Sequence, residues 1–156
     1  MGQGSKMVGF VVIAILYVVV GIMAAMGTIG IFRKMFSPRR EQILYAVFLM
    51  GIAVLYLAFV AYFGAVAALP LEATAVVAFV AIALLGMRQP FALMAGFFLH
   101  GVWDLLHELQ AHGGFTLAPG ELTAIPLAYG FFCLAFDFYM VGYFYRRRRE
   151  WRGAQR

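Results

Sequence analysis

The chain has 156 residues, of which 65% are hydrophobic and only 12% are charged, and its mean hydropathy is +0.91. A soluble domain is nearer half apolar and a quarter charged, so this composition excludes an ordinary soluble protein and indicates a polytopic membrane protein. The net charge of +5 does not predict nucleic-acid binding, because the cations stand in short clusters beside apolar segments, as cytoplasmic anchors do. The length fits a single integral membrane domain, 1–156, made of a few helices.

Apolar segments that are long enough to cross a bilayer as helices recur along the chain. They are predicted at about 7–31, 43–65, 70–87, 91–109 and 125–145. The fourth is expected to begin at Pro90, because proline is favoured at the first position of a helix. The predicted fold is therefore an all-α bundle of five transmembrane helices in the cell's inner (plasma) membrane.

The positive charges predict how these spans are oriented. Lysine and arginine occur in the first connection (33–40), in the third (Arg88) and after the fifth span (146–152), whereas the second and fourth connections contain neither. The positive-inside rule therefore predicts an outside N-terminus and a cytoplasmic C-terminus. The last arginine cluster is interpreted as a topology anchor with Tyr143 and Trp151 at the membrane interface, and a specific site for anionic inner-leaflet lipid is the alternative.

The fourth segment carries ionisable residues on one side. His100, Asp104 and His107 are spaced by four and then three residues, which puts them on one stripe of a helix. Ionisable groups inside a span are costly and indicate a functional site. At 1.5 Å per residue, Asp137 lies about 18 Å from the outer end of the fifth span, and His100 lies about 13 Å from the outer end of its own. Because sequential antiparallel helices pack side by side, these residues are expected to meet.

Two imidazoles and two carboxylates suit a divalent metal such as Zn²⁺, Fe²⁺ or Mn²⁺. The predicted metal ligands are His100, Asp104, His107 and Asp137, and the predicted catalytic acid–base groups are Asp104 and Glu108. His100 and His107 are about 10.5 Å apart along the helix axis. This separation is therefore also compatible with a smaller site, in which the ligands are Asp104, one of the two histidines, and either Asp137 or Glu72. The simplest alternative is a His–Asp hydrogen bond that only joins two helices.

The segment LHGVWDLLHE, followed after a loop by a last span with FCLAFD, resembles a pattern of an uncharacterised family of small bacterial integral membrane proteins. That pattern is L-H-x-x-W-D-x-x-H-H, with a Cys and an Asp in the last helix, and the resemblance covers about the last third of the chain. It implies these marked positions: His100, Trp103, Asp104, His107, Cys133 and Asp137. Glu108 stands where the pattern has a second histidine. A looser chemical similarity is to the seven-helix, zinc-dependent lipid amidases of the alkaline ceramidase and adiponectin receptor type, which also place His and Asp around a metal.

Two functions are compatible with these observations. The first is a metal-dependent enzyme that acts on a lipid or other apolar substrate. The second is a non-enzymatic accessory subunit of a larger membrane complex, or a binder of a pigment, quinone or haem. A proton or metal-ion transporter is disfavoured because the sequence contains no internal repeat. Membrane lipids are expected partners and nucleic acid is not, and five helices can barely enclose a cavity, which leaves room for a homo-oligomer.

Overall fold

The computed structural model describes residues 3–112 and 121–154, and this part of the chain is helical and contains no strand. The helices are α1 (Gln3–Met35), α2 (Pro38–Phe63), α3 (Leu69–Gly86), α4 (Pro90–Ala111) and α5 (Tyr129–Gly153), with a 3₁₀ turn at Val66–Ala68. The predicted all-α fold is confirmed. Residues 113–120 of the polar connection between α4 and α5 lie outside the described residues.

Proline and glycine set the ends of the helices. Pro38 and Pro90 stand in the first turns of α2 and α4, where the missing N–H costs no hydrogen bond. Gly64 ends α2 in the left-handed conformation with φ 66°, and its N–H donates to the carbonyl of Val60.

In the described part of the chain, three segments are long and apolar enough to cross a membrane, namely Met7–Met35, Pro38–Phe63 and Val66–Gly86. The remaining helices, α4 and α5, are of comparable length, 22 and 25 residues, but carry more polar residues. In α4 these residues point inward, since His100 and Asp104 are both fully buried, whereas Phe98 and Leu99 are exposed. The outer surface of α4 is therefore apolar although its composition is mixed.

Helix α4 occupies the centre of the arrangement. It packs between α3 and α5 and also contacts α2, while α1 lies against α5. Within residues 7–35 of α1, only Gly21 and Ala25 are buried. A Cβ atom at Gly21 would lie 2.3 Å from the carbonyl oxygen of Phe132, so the absence of a side chain allows α1 to approach α5 there.

A buried ionic cluster joins α2 to α5 at the arginine-rich end. Glu41 is fully buried, and its Oε2 accepts hydrogen bonds from Arg147 Nε at 3.0 Å and from Trp151 Nε1 at 3.1 Å. The Tyr143 hydroxyl donates to Oε1 of the same carboxylate. Trp151 is fully buried, so its ring packs inside the bundle. Because Arg147 and Trp151 lie one turn apart and both face Glu41, α5 continues through the arginine cluster to Gly153.

Candidate metal centre

The polar group at the centre of the bundle consists of His100 and Asp104 on α4 and Asp137 on α5. His100 Nδ1 lies 2.9 Å from Asp104 Oδ2 and 2.8 Å from Asp137 Oδ2. His100 and Asp104 are fully buried, and Asp137 is 1% exposed. A single imidazole nitrogen therefore faces two carboxylates, and one ring proton cannot neutralise both.

These residues have the chemistry of a metal-ligand set. Each offers one ligand atom, and the three atoms lie within 4.8 Å of one another. His100 Nε2 and Asp137 Oδ1 are buried and have no hydrogen-bond partner among the described residues. Imidazole nitrogen and carboxylate oxygen are ligands that Zn²⁺, Fe²⁺ and Mn²⁺ accept. The buried group could therefore hold a divalent metal ion.

Two glycines let α4 and α5 approach closely enough to form this group. A Cβ atom at Gly101 of α4 would lie 3.2 Å from Asp137 Cβ. A Cβ atom at Gly130 of α5 would lie 2.5 Å from the carbonyl oxygen of Asp104. Larger side chains at these positions would separate the helices and move Asp137 away from His100.

Residues of α2 and α3 close the group from the other sides. The Tyr56 hydroxyl of α2 donates a hydrogen bond to Asp104 Oδ1. The Tyr56 ring lies edge-on to His100, with 6.0 Å between the ring centroids. The Phe79 ring of α3 also lies edge-on to His100, at 5.1 Å. Four helices therefore contribute to one enclosed site.

His107 makes a separate contact with α3. Its Nε2 lies 2.7 Å from Glu72 Oε1, and its Nδ1 lies 2.9 Å from the carbonyl oxygen of Trp103. The backbone N–H of Thr123 donates to the same Glu72 oxygen at 2.9 Å. Both ring nitrogens of His107 thus lie within hydrogen-bond distance of an oxygen atom, so the ring is engaged on both sides. Of the predicted ligands, the structure brings His100, Asp104 and Asp137 together and pairs His107 with Glu72.

Glu108, predicted as an acid–base residue, is on α4, and its carboxylate lies beside the first turn of α5. Its Oε2 accepts a hydrogen bond from the N–H of Gly130 at 2.9 Å, and its Oε1 lies 2.9 Å from His112 Nε2. A carboxylate at this place satisfies a free N–H of the first turn and interacts favourably with the helix dipole. Glu108 is 1% exposed and lies outside the group formed by His100, Asp104 and Asp137, whereas Asp104, the other predicted acid–base residue, is within it.

A family of unknown function, DUF6010, matches residues 13–150. The chain belongs to this family. The match runs from α1 to the last turns of α5, so the similarity to an uncharacterised family extends well beyond the last third of the chain. No curated protein and no solved structure matches the chain.

In this DUF6010 member, Tyr56 is the site residue that sequence reasoning missed. An aromatic residue in an apolar span is ordinary, and its hydroxyl gives no periodic signal. The only available signal was the depth of Tyr56 along its helix. Tyr56 lies eight residues before Gly64, or about 12 Å from the end of α2, and the predicted distance of His100 from the outer end of its own helix is similar. Of the two other positions marked by the resemblance, Cys133 is buried one turn from Asp137, and Trp103 contributes its carbonyl to His107.

Replacing Tyr56 with phenylalanine tests the hydrogen bond that fixes Asp104. Tyr56→Phe leaves Asp104 Oδ1 buried without its donor, and we expect a loss of about 1–3 kcal/mol in unfolding free energy. Thermal unfolding of detergent-purified protein should show a lower midpoint. Tyr62→Phe is the matched control, because Tyr62 lies on the same helix and is 82% exposed. Equal midpoints for the two variants would contradict a role for the Tyr56 hydroxyl.

Proposed function

We propose that this protein is a multi-pass enzyme of the inner (plasma) membrane that binds a divalent metal through His100, Asp104 and Asp137 and acts on a lipid or other apolar substrate. The observation that carries the proposal is that two buried carboxylates share one imidazole nitrogen. Two carboxylates and one imidazolium leave a net negative charge in an apolar interior, which is costly. A divalent cation with a neutral imidazole balances the charge, and metal binding favours this protonation state.

The surrounding residues have distinct tasks in this proposal. Bound there, Zn²⁺, Fe²⁺ or Mn²⁺ would activate water or polarise a carbonyl or phosphoryl oxygen. Tyr56 fixes one oxygen of Asp104, so that the other faces His100. Phe79 covers the His100 ring and keeps water away from it. Asp137 Oδ1, which lacks a hydrogen-bond partner in the described part of the chain, is available as a ligand oxygen for the ion.

Glu108 supplies a route for protons to the surface. It is buried, but it contacts His112, whose side chain is 36% exposed. The pair lies at the end of α4, one turn beyond Asp104, and reaches α5 through the Gly130 N–H. Glu108 is therefore proposed as a proton carrier between solvent and the metal centre, and Asp104 as the acid–base group within it.

We also propose that all five helices span the membrane, with the N-terminus outside. At 1.5 Å per residue, α4 and α5 extend over about 33 Å and about 38 Å, enough to cross a bilayer. Burial of the charged side chains of α4 supports this assignment, because lipid would contact only its apolar face. In this orientation the metal centre lies in the outer half of the bilayer.

An accessory subunit of a larger membrane complex is the second candidate function. The exposure of α1 favours it, because within residues 7–35 only Gly21 and Ala25 are buried rather than partly covered by the rest of the chain. In that case the His–Asp contacts join helices and bind no metal. Metal content therefore separates the two functions.

Metal analysis of detergent-purified protein tests the centre directly. We expect stoichiometric metal in the wild type and its loss in His100→Ala and Asp137→Asn, because each variant removes a ligand. His107→Gln is the matched control on the same helix, and it should keep the metal because His107 is engaged by Glu72 and Trp103. Added metal at about 100 times its dissociation constant should stabilise the wild type by about 2.7 kcal/mol. A wild type that contains no stoichiometric metal and gains no stability from Zn²⁺, Fe²⁺ or Mn²⁺ would refute the proposal.

The enzymatic step is tested by incubating the metal-loaded protein with extracted membrane lipids. We expect a lipid class to be consumed by the wild type and not by Asp137→Asn, because the variant lacks the carboxylate pair. Mass spectrometry of the lipids before and after incubation makes the comparison. His107→Gln should remain active. If metal-loaded wild type and Asp137→Asn leave identical lipid profiles, lipid turnover is excluded and the metal has another use.

The orientation is tested with single cysteines introduced into a Cys133→Ala background. We expect a membrane-impermeant maleimide to label Glu121→Cys from outside intact cells, because this exposed residue lies between α4 and α5. Ser37→Cys, in the exposed connection between α1 and α2, should be labelled only after the membrane is opened. The reverse pattern would invert the topology, and labelling of both sites from outside would reduce the number of spans between them.

A further inference from the structure

A groove between α1 and α5 lies at the arginine-rich end of the protein, away from the metal centre. Its volume is about 570 Å³. The residues that define this α1/α5 groove include Met26, Gly30 and Arg33 from α1 and Phe138, Gly142 and Arg146 from α5. A Cβ atom at Gly30 or Gly142 would meet nothing within 4 Å, so the two glycines leave open space along the groove. The groove is thus apolar along most of its length and cationic at one end.

Among the described residues, the two arginines of the groove lack a side-chain partner, unlike Arg147, Arg39 and Arg152. Arg147 is neutralised by Glu41, and Arg39 donates to the carbonyl of Met87 at 2.7 Å. Arg152 lies over the Phe91 ring at 4.8 Å. Within residues 3–112 and 121–154, neither Arg33 nor Arg146 forms an ion pair or a hydrogen bond through its side chain. Two guanidinium groups therefore border one groove with their donors available to an anion.

We propose that the α1/α5 groove binds an anionic phospholipid. Arg33 and Arg146 hold the phosphate, because guanidinium groups bind phosphate oxygens with paired hydrogen bonds. One acyl chain lies along the open space beside Gly30 and Gly142. Such a ligand matches both parts of the groove, since its headgroup is negative and its chain is apolar, and the bilayer surrounds the helices that form it.

The site is independent of the metal centre. Arg146 lies nine residues beyond Asp137 on the same helix, which is about 13 Å along its axis. Loss of lipid binding therefore leaves metal content unchanged, and loss of metal leaves lipid binding unchanged. The two proposals fail or stand separately.

Native mass spectrometry of the full chain in detergent tests the lipid site, with phosphatidylglycerol as the probe. We expect the wild type to retain phosphatidylglycerol and to unfold at a higher temperature in its presence. The double variant Arg33→Gln/Arg146→Gln should bind it about 30-fold more weakly, because the phosphate loses both guanidinium groups that contact it in the groove. Gly142→Phe should also lose binding, because its ring fills the groove without changing the charge.

The control for charge is the double variant Arg40→Gln/Arg149→Gln, which removes two exposed cations that do not line the groove. It should bind phosphatidylglycerol like the wild type. Equal weakening in the two double variants, or unchanged binding in Gly142→Phe, would overturn the proposal. Equal stabilisation by inorganic phosphate or by phosphatidylcholine would overturn it as well. A lipid-free dimer that dissociates in Gly142→Phe would assign the groove to a second copy of the chain.

Discussion

The structure depends on the cost of placing ionisable side chains in an apolar interior. Helix α4 carries His100, Asp104, His107 and Glu108 on its inner side, and each of them is at most 1% exposed. Each needs a partner that is not water. Tyr56 comes from α2, Glu72 from α3, and Asp137 and the Gly130 N–H from α5. The central place of α4 in the bundle follows from these contacts, because its neighbours must all reach the same side of one helix.

The sequence predicts the frame of this site but not its detailed pairing. The stripe on α4 follows from helix periodicity, and the meeting of His100 with Asp137 follows from their similar depths. The spacing on α4 allowed either one site with both histidines or a smaller site with one of them. The structure shows the second arrangement, because His107 contacts Glu72 and not the group around His100. Tyr56 could not be selected, because a tyrosine in an apolar span becomes a hydrogen-bond donor only when the register of the neighbouring helix is known.

At the arginine-rich end of the molecule, too, the sequence does not predict which side chains pair. Four consecutive arginines look equivalent in the sequence, and their composition predicts an anchor at the membrane surface. Because α5 continues through the cluster, Arg147 points inward and pairs with the buried Glu41 of α2. Arg146 instead faces α1. Because helix geometry separates adjacent residues by about 100°, neighbours in the sequence serve different sides of the helix. Buried polar contacts therefore join the helices toward both ends of the bundle, His107 with Glu72 at one end and Arg147 with Glu41 at the other. A core rich in aromatic residues lies between them.

The partners of α4 also bear on how the protein is made. The ribosome synthesises Tyr56 and Glu72 before α4, so the partners of Asp104 and His107 already exist when α4 emerges. The partners supplied by α5, Asp137 and the Gly130 N–H, are synthesised only afterwards. Until then His100 and Glu108 lack contacts that they have in the finished fold, and their exposure to lipid is unfavourable. For the five-span arrangement proposed above, we therefore expect α4 and α5 to enter the membrane together as a hairpin.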